Sequence, residues 1–360
     1  MRIERVTISA LSVPLLEPFV IATGRVDTTR AALVEVTARD AAGQQVVGLG
    51  EAAALPPVTA EDQPELLEQL GAAVPALTSV TVETREDVAQ RLDACLDGQP
   101  VARAGLECAL LDALAQLDGV PLCSWLSGAP PTALVTDITL PIADPQHMAQ
   151  LAVGYRAAGF EVFKVKVGKS LDDDLRALRL IAQAVPDARF RLDANAGFTA
   201  DQALRVLDAC SSAGLVLECF EQPCGRLDLD GMARVTAATQ VPVVADESVR
   251  TLEDLERVVA AGAASAVNLK LVKHGGLLRA LDIGQRAREL GLRLMCGAMV
   301  ETRLGLSAMG HVVCALGGVD FVDLDTALLL AEDPFDGGYT SDGARSTFLD
   351  TAGLGVRLRA

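Results

Sequence analysis

Eight short runs rich in β-branched residues recur between residues 136 and 325 at a spacing of roughly 25 residues, a rhythm that few folds can satisfy. They are TDITLPI (136–142), EVFKVKV (161–167), RFRLDAN (189–195), LVLECFE (215–221), VPVVADE (241–247), SAVNLKL (265–271), LRLMCGA (292–298) and VDFVDLD (319–325). Amphipathic stretches such as DLRALRLIAQAV and DLERVVAAG lie between them. A strand followed by a helix, repeated, builds a parallel sheet with helices on its outer face, and eight repeats close a barrel. A doubly wound open sheet is the alternative, but no G-x-G-x-x-G follows an early strand, so the barrel is preferred.

The first 125 residues lack this rhythm. Residues 1–16 and 29–52 read as strands, with an antiparallel hairpin through RAALVEVTARDAAGQQVVGLGEA, and residues 60–118 read as helical. Strands followed by a block of helices indicate an α+β unit. The turn-rich GVPLCSWLSGAPP (119–131) marks the boundary, giving an α+β domain over 1–125, a barrel over 126–330 and a C-terminal tail over 331–360. Half the residues are hydrophobic but only 3% are aromatic, so the core is expected to be built from Ala, Val and Leu.

A net charge of −17 argues against nucleic acid as a partner and favours cations, either metal ions or ammonium groups. No apolar stretch is long enough to span a membrane, and the N-terminus alternates like a strand rather than a signal peptide. Eight cysteines without a C-x-x-C pair read as reduced thiols of a cytoplasmic protein. Three histidines, none suitably spaced, argue against structural zinc.

Barrel active sites lie at the carboxyl ends of the strands. Those ends carry Lys164 and Lys166 on the second run, Asp193 and Asn195 on the third, and Glu221 on the fourth. Asp246 and Glu247 follow on the fifth, Lys270 on the sixth, and Asp323 and Asp325 on the eighth. Any one of them has a bland reading: a lone Asp caps the next helix, and a lone Lys snorkels to solvent. Their joint occurrence at one rim does not, because buried charges cost several kcal/mol each unless matched.

Asp193, Glu221 and Asp246 come from three adjacent strands and offer only carboxylates, which suits Mg²⁺ first and Mn²⁺ second. The second and sixth strands of an eight-stranded barrel face each other, so lysines flank that metal from opposite sides. Such a site would bind a substrate carboxylate at the metal and stabilise the enediolate formed when the α-proton leaves. One lysine would remove that proton while the other delivers one to the opposite face, which is a racemisation or epimerisation. A basic lysine needs a pKa lowered from about 10.4 toward 7–8, and a neighbouring like charge within the Lys164/Lys166 pair would help.

The K-x-K of FKVKVG, the DAN, the EQP, the DES and NLKLVKHGG together resemble the enolase superfamily, and within it the muconate lactonizing enzyme-like subgroup. The resemblance covers essentially the whole chain. It implies a (β/α)₇β modified TIM barrel with an α+β capping domain that the C-terminal tail, ending GLGVRL, completes. It implies Asp193, Glu221 and Asp246 as Mg²⁺ ligands, Lys166 and Lys270 as the acid/base pair, and Lys164 as the electrostatic partner of Lys166.

The segments CGAMVETRLGLSAMGH and FVDLDTALLLAEDPFDGG look like those of dipeptide epimerases of the L-Ala-D/L-Glu type. That likeness implies Asp323 and Asp325 as a clamp for the dipeptide's α-ammonium, with Met299 as a further substrate contact. Ala327 departs from the Pro usual after D-x-D-x, which bears on the local turn. The loop after Pro18-Phe19, VIATGRVDTTR, would read the second side chain, with Arg25 pairing a glutamyl carboxylate. Thr136 is another candidate contact, and Glu301 beyond the seventh strand would hold a lysine or serve the next helix's N-terminus. Many relatives assemble, so a homo-oligomer is compatible with the resemblance.

Two rivals remain. N-acylamino acid racemisation, o-succinylbenzoate synthesis or cycloisomerisation would use the same scaffold, but their substrates lack the free ammonium that Asp323 and Asp325 suit. An inactive ligand-binding paralogue would be free to lose a base or metal ligand, yet all five positions are present.

Overall fold

Along a strand, side chains alternate between two faces, so the period-two pattern decides which residues meet inside a barrel. The structure, a computed structural model, describes residues 1–359. Eight parallel strands pair in chain order: Ile138–Leu140, Val162–Lys166, Arg189–Asp193, Val216–Glu221, Val243–Ala245, Ala266–Leu269, Arg293–Gly297 and Phe321–Asp323. A main helix follows each of the first seven: Pro145–Ala157, Leu171–Ala184, Ala200–Ser212, Leu229–Ala238, Leu252–Ala260, Leu277–Glu289 and Arg303–Leu316. Among the described residues the eighth strand leads instead into a 3₁₀ turn, Thr326–Leu329. This is the (β/α)₇β barrel the rhythm and the resemblance implied.

The helices start where their sequences can satisfy free backbone N–H groups. Thr199 with Gln202, and Thr251 with Asp254, form reciprocal capping boxes, while Ser170 and Thr302 cap from one side. Inside the barrel, Cys219, Val244, Ala266, Met295 and Phe321 make a small apolar layer, each two residues below an inward-facing residue at or next to the rim. The seam between the eighth and first strands closes with few bonds. The Asp137 N–H donates to the Val322 carbonyl at 3.2 Å, and the Leu324 N–H to Thr136 Oγ1 at 2.8 Å.

Ahead of the barrel, Arg2–Leu11, Arg30–Arg39 and Gln45–Ala54 form an antiparallel sheet with Arg30–Arg39 in the middle. Helix Pro100–Leu117, buried from Val101 to Ala115, lies against it. Gly48 and Gly50 allow this contact, since a Cβ on either would strike the carbonyl oxygen of Ala109 or Gly105. Pro14–Ile21 and Gly24–Thr28, expected as loop from Val20 onward, form a hairpin in which Phe19 pairs with Val26 and Ile21 with Gly24. Its β-branched and aromatic residues favour extended backbone, and Phe19 and Ile21 gain burial over the barrel mouth.

The tail returns to this sheet-and-helix unit. The Leu354 N–H donates to Asp112 Oδ1 at 2.7 Å, and the Leu122 N–H to the Gly353 carbonyl at 2.8 Å. Strand Arg345–Phe348 pairs with Ala133–Val135 on the way. Among the described residues, no helix is long and apolar enough to cross a membrane.

Candidate active site

Strand register assembles the rim. Lys166 lies beside Asp193, and Asp193 beside Glu221, on three neighbouring strands. Lys166 Nζ is 2.5 Å from Asp193 Oδ2. Lys164 Nζ reaches Asp323 at 2.6 Å, Glu221 at 2.7 Å and Asp193 at 3.1 Å. From the other side, Lys270 Nζ stands 2.7 Å from Asp246 and 3.9 Å from Glu221. All seven side chains are buried.

Burial and mutual charge dominate the electrostatics. Burial disfavours an ammonium at Lys164, yet the carboxylates of Asp323, Glu221 and Asp193 overcome that and hold its pKa well above the usual lysine range. Lys270 is raised in the same way by Asp246 and Glu221 against its burial. Burial, reinforced by the charge of Asp193, pushes Glu221 up to about 7. For Asp193 and Asp246 burial is outweighed by adjacent lysines, and both lie below the ordinary carboxylate range.

Residues behind the rim hold it in place, and several were not singled out from the sequence. Gln222 Oε1 accepts the Asp246 N–H at 2.9 Å and the Ser248 N–H at 3.2 Å. Asn268 Nδ2 donates to Glu221 Oε1 at 2.7 Å, and Lys273 Nζ donates to Asp246 Oδ1 at 2.7 Å. Backbone strain is concentrated here: Asn195, Ala196 and Gln222 adopt φ of +41°, +64° and +36°. The Asn195 N–H donates to Asp193 Oδ1 at 2.9 Å, and its side chain donates to Glu247 at 3.3 Å. The D-A-N, E-Q-P and N-L-K motifs were the available signal for these roles.

By chemistry the donor set suits a hard divalent cation. Among the described residues, though, Asp193, Glu221 and Asp246 do not bring three oxygens within 4.8 Å of one another, since Lys164, Lys166 and Lys270 stand between them. Asp193, Glu221 and Asp246 present only oxygen from adjacent strands. The buried Asn195 Oδ1 and Glu247 Oε2 beside them have no hydrogen-bond partner. Burial and the charges of Asp246 and Asp193 raise Glu247 to about 8, as expected where carboxylates outnumber nearby cations.

A second acidic group lies across the barrel, where Asp137, Asp323 and Asp325 bring one oxygen each within 4.8 Å of one another. Its charges are already engaged. Arg191 Nη1 donates to Asp137 at 2.8 Å, Lys164 donates to Asp323, and the Thr139 N–H donates to Asp325 at 2.5 Å. Asp137 Oδ1 and Asp325 Oδ1 remain buried without partners behind Asp323, which alone of the three lines the cleft where an ammonium would arrive. Burial, with Asp323 adding repulsion, raises Asp325 to about 6.

Above these groups a narrow cleft is lined by Lys166, Lys270, Asp323, Asn195, Thr139 and Met299, with an apolar roof from the hairpin and the segment after the sheet. Glu301 Oε1 accepts the Met299 N–H at 2.9 Å. Thr136 lies away from the cleft, its hydroxyl taken by the Leu324 N–H. Alternation instead brings its neighbours Asp137 and Thr139 inward. Arg25 stands on the hairpin with its side chain 60% exposed, 3.0 Å from Asp27.

Two family models match the chain: "Mandelate racemase / muconate lactonizing enzyme, N-terminal domain" over residues 3–127 and "Enolase C-terminal domain-like" over residues 147–360. The L-Ala-D/L-amino acid epimerase of Populus trichocarpa is 40% identical over 98% of this chain and 83% of its own length. The structure of the L-Ala-D/L-Glu epimerase from Bacillus subtilis, a substrate-liganded complex, is 33% identical, covers both chains fully and superposes with a TM-score of 0.94. The dipeptide epimerase from Enterococcus faecalis V583, complexed with Mg and L-Leu-L-Tyr, is 32% identical over 99% of each chain, with a TM-score of 0.92.

Proposed function

This chain belongs to the mandelate racemase/muconate lactonizing enzyme family of the enolase superfamily, and from that membership we propose that it is a Mg²⁺-dependent dipeptide epimerase. It inverts the α-carbon of the dipeptide's C-terminal residue. The observation that carries this reading is one cleft lined by Lys166 and Lys270 from opposite strands, with a carboxylate triad on one side and Asp323 on the other.

Asp193, Glu221 and Asp246 would hold the Mg²⁺, which when bound supplies positive charge for the substrate carboxylate and eases loss of the α-proton. Lys166 would take that proton onto Nζ from one face. Lys270 would return a proton to the opposite face, and the reverse reaction exchanges their roles. Lys164 contributes fixed positive charge beside Lys166. Asp323, backed by Asp325 and Asp137, would bind the free α-ammonium at the far end of the substrate. Gln222, Asn268 and Lys273 keep Glu221 and Asp246 in place.

Net charge argues against nucleic-acid partners, and the eight cysteines, all free thiols, support a reducing cytoplasm as the location. The test is incubation with a set of L,L-dipeptides and Mg²⁺ in D₂O, followed by mass spectrometry. Deuterium is expected at the α-carbon of the C-terminal residue together with the L,D-diastereomer. No exchange across the set would refute the assignment.

A further inference from the structure

We infer that the residue this enzyme inverts carries an apolar side chain, aliphatic or aromatic, and that Phe19, Ile21, Leu55, Val58 and Met299 form its pocket. The inference rests on the epimerase reading and deepens it. Once the carboxylate, the α-carbon and the α-ammonium of a dipeptide have their partners on the barrel floor, the surface left for the side chain is the roof of the cleft. That roof is apolar throughout: Phe19 and Ile21 from the hairpin, Leu55 and Val58 from the segment after the sheet, and Met299 after the seventh strand. All but Val58 are buried. An acidic side chain placed against them would lose its water and gain no donor.

The cap arginines that would otherwise read an acidic group are committed elsewhere. Arg25 turns to solvent beside Asp27, and Arg30 forms a two-point pair with Asp62. The lysines that line the cleft, Lys166 and Lys270, are held by Asp193 and Asp246. Past Val58 and Met299 lies a second pocket in which the apolar Pro100, Val101 and Val272 share the wall with the charged Glu61, Glu247 and Lys273, so a side chain that extends there leaves the apolar roof. Among the described residues, Arg250 in that pocket has no carboxylate partner, and its buried Nε makes no hydrogen bond. The other cation lining that pocket, Lys273, is paired with Asp246 at 2.7 Å, which leaves Arg250 as the group there that would favour an acid.

The experiment compares kcat/KM for L-Ala-L-Leu, L-Ala-L-Phe, L-Ala-L-Gln and L-Ala-L-Glu, using the full-length enzyme with Mg²⁺. The apolar dipeptides are expected to exceed L-Ala-L-Glu by about 100-fold, on the scale by which a pocket rejects a mismatched side chain. Ile21→Arg should narrow or reverse that ratio, and a ratio that Ile21→Arg leaves unmoved, although the variant still turns over dipeptides, counts against the pocket. A preference for L-Ala-L-Glu overturns the inference. Loss of that preference in Arg25→Met or in Arg250→Met would name the residue responsible. Absence of α-deuteration in every dipeptide would instead sink the epimerase reading itself, so the two failures are distinguishable.

Discussion

Lys164 and Lys166 share a strand and a face, yet they meet different neighbours, and that difference underlies their separate assignments. Lys164 sits among three carboxylates, whereas Lys166 has Asp193 on one side and the Phe19 ring, 5.8 Å from Nζ, on the other. Only Lys166 therefore lines the cleft and can reach a substrate carbon. Replacing Lys166 or Lys270 singly with Ala should lower the epimerisation kcat by about 10²–10⁴-fold or more. Each variant should still exchange α-deuterium in the one diastereomer whose proton faces the remaining lysine, measured by NMR in D₂O. Changing Asp323 and Asp325 together to Asn should raise KM for free-amine dipeptides by roughly 10- to 100-fold while affecting N-acylated analogues little. The reverse pattern would favour an N-acylamino acid racemase. At this scale the sequence was legible wherever a charged residue ended a strand, because packing offers no cheap reason for charge there. Asp137 was harder to see: it enters the acidic group from the start of its run, and only the register of the finished barrel shows that it, rather than Thr136, faces inward.

Among the elements, the sheet and the helix Pro100–Leu117 approach more closely than side chains normally allow. Gly50 makes this possible, because the Gly105 carbonyl occupies the space of its missing Cβ. Gly50→Ala should destabilise the protein by about 1–3 kcal/mol, as overpacking against backbone does. Urea unfolding would register this as a lower midpoint at unchanged slope, and an unaltered midpoint would show that the helix yields freely. The repeated strand-and-helix units were readable in advance because each depends on local period and on capping signals such as T-L-E-D. The hairpin Pro14–Thr28 was not. Its anchors are distant in sequence: the Ile142 N–H donates to the Val20 carbonyl at 2.9 Å, and Leu15 bridges Leu330. Nothing in the local pattern of a short, half-exposed segment announces contacts more than a hundred residues away.

For the whole molecule, the join between cap and barrel depends on buried acids that bear on stability as pH changes. Glu51, on the cap sheet, accepts the Thr302 N–H at 3.1 Å, the Thr302 hydroxyl at 2.6 Å and the Gly305 N–H at 3.0 Å, at the start of the barrel's last helix. Burial, with Glu301 adding repulsion, raises Glu51 from 4.5 to about 8, and burial raises Glu301 to about 7. Asp112, which ties the tail to the cap, is raised by burial to about 6. Each of these groups keeps a proton in the folded protein that the unfolded chain releases at lower pH. Unfolding therefore releases protons, and raising the pH favours it. The stability these acids contribute is complete below about pH 3.8 and is lost progressively as pH rises toward 8, at up to roughly 1.4 kcal/mol per pH unit for each proton involved. Urea midpoints should accordingly fall between pH 6 and 8.5. The overall charge of −17 pushes in the same direction through self-repulsion, so the slope alone does not identify the groups. Glu51→Gln does, because it removes one titration while changing the formal charge by a single unit. Its midpoint should vary less with pH than that of the parent protein, with the largest relative gain above pH 7. Equal slopes in the two proteins would mean that the cap–barrel join does not titrate in this range and that surface repulsion alone sets the pH dependence.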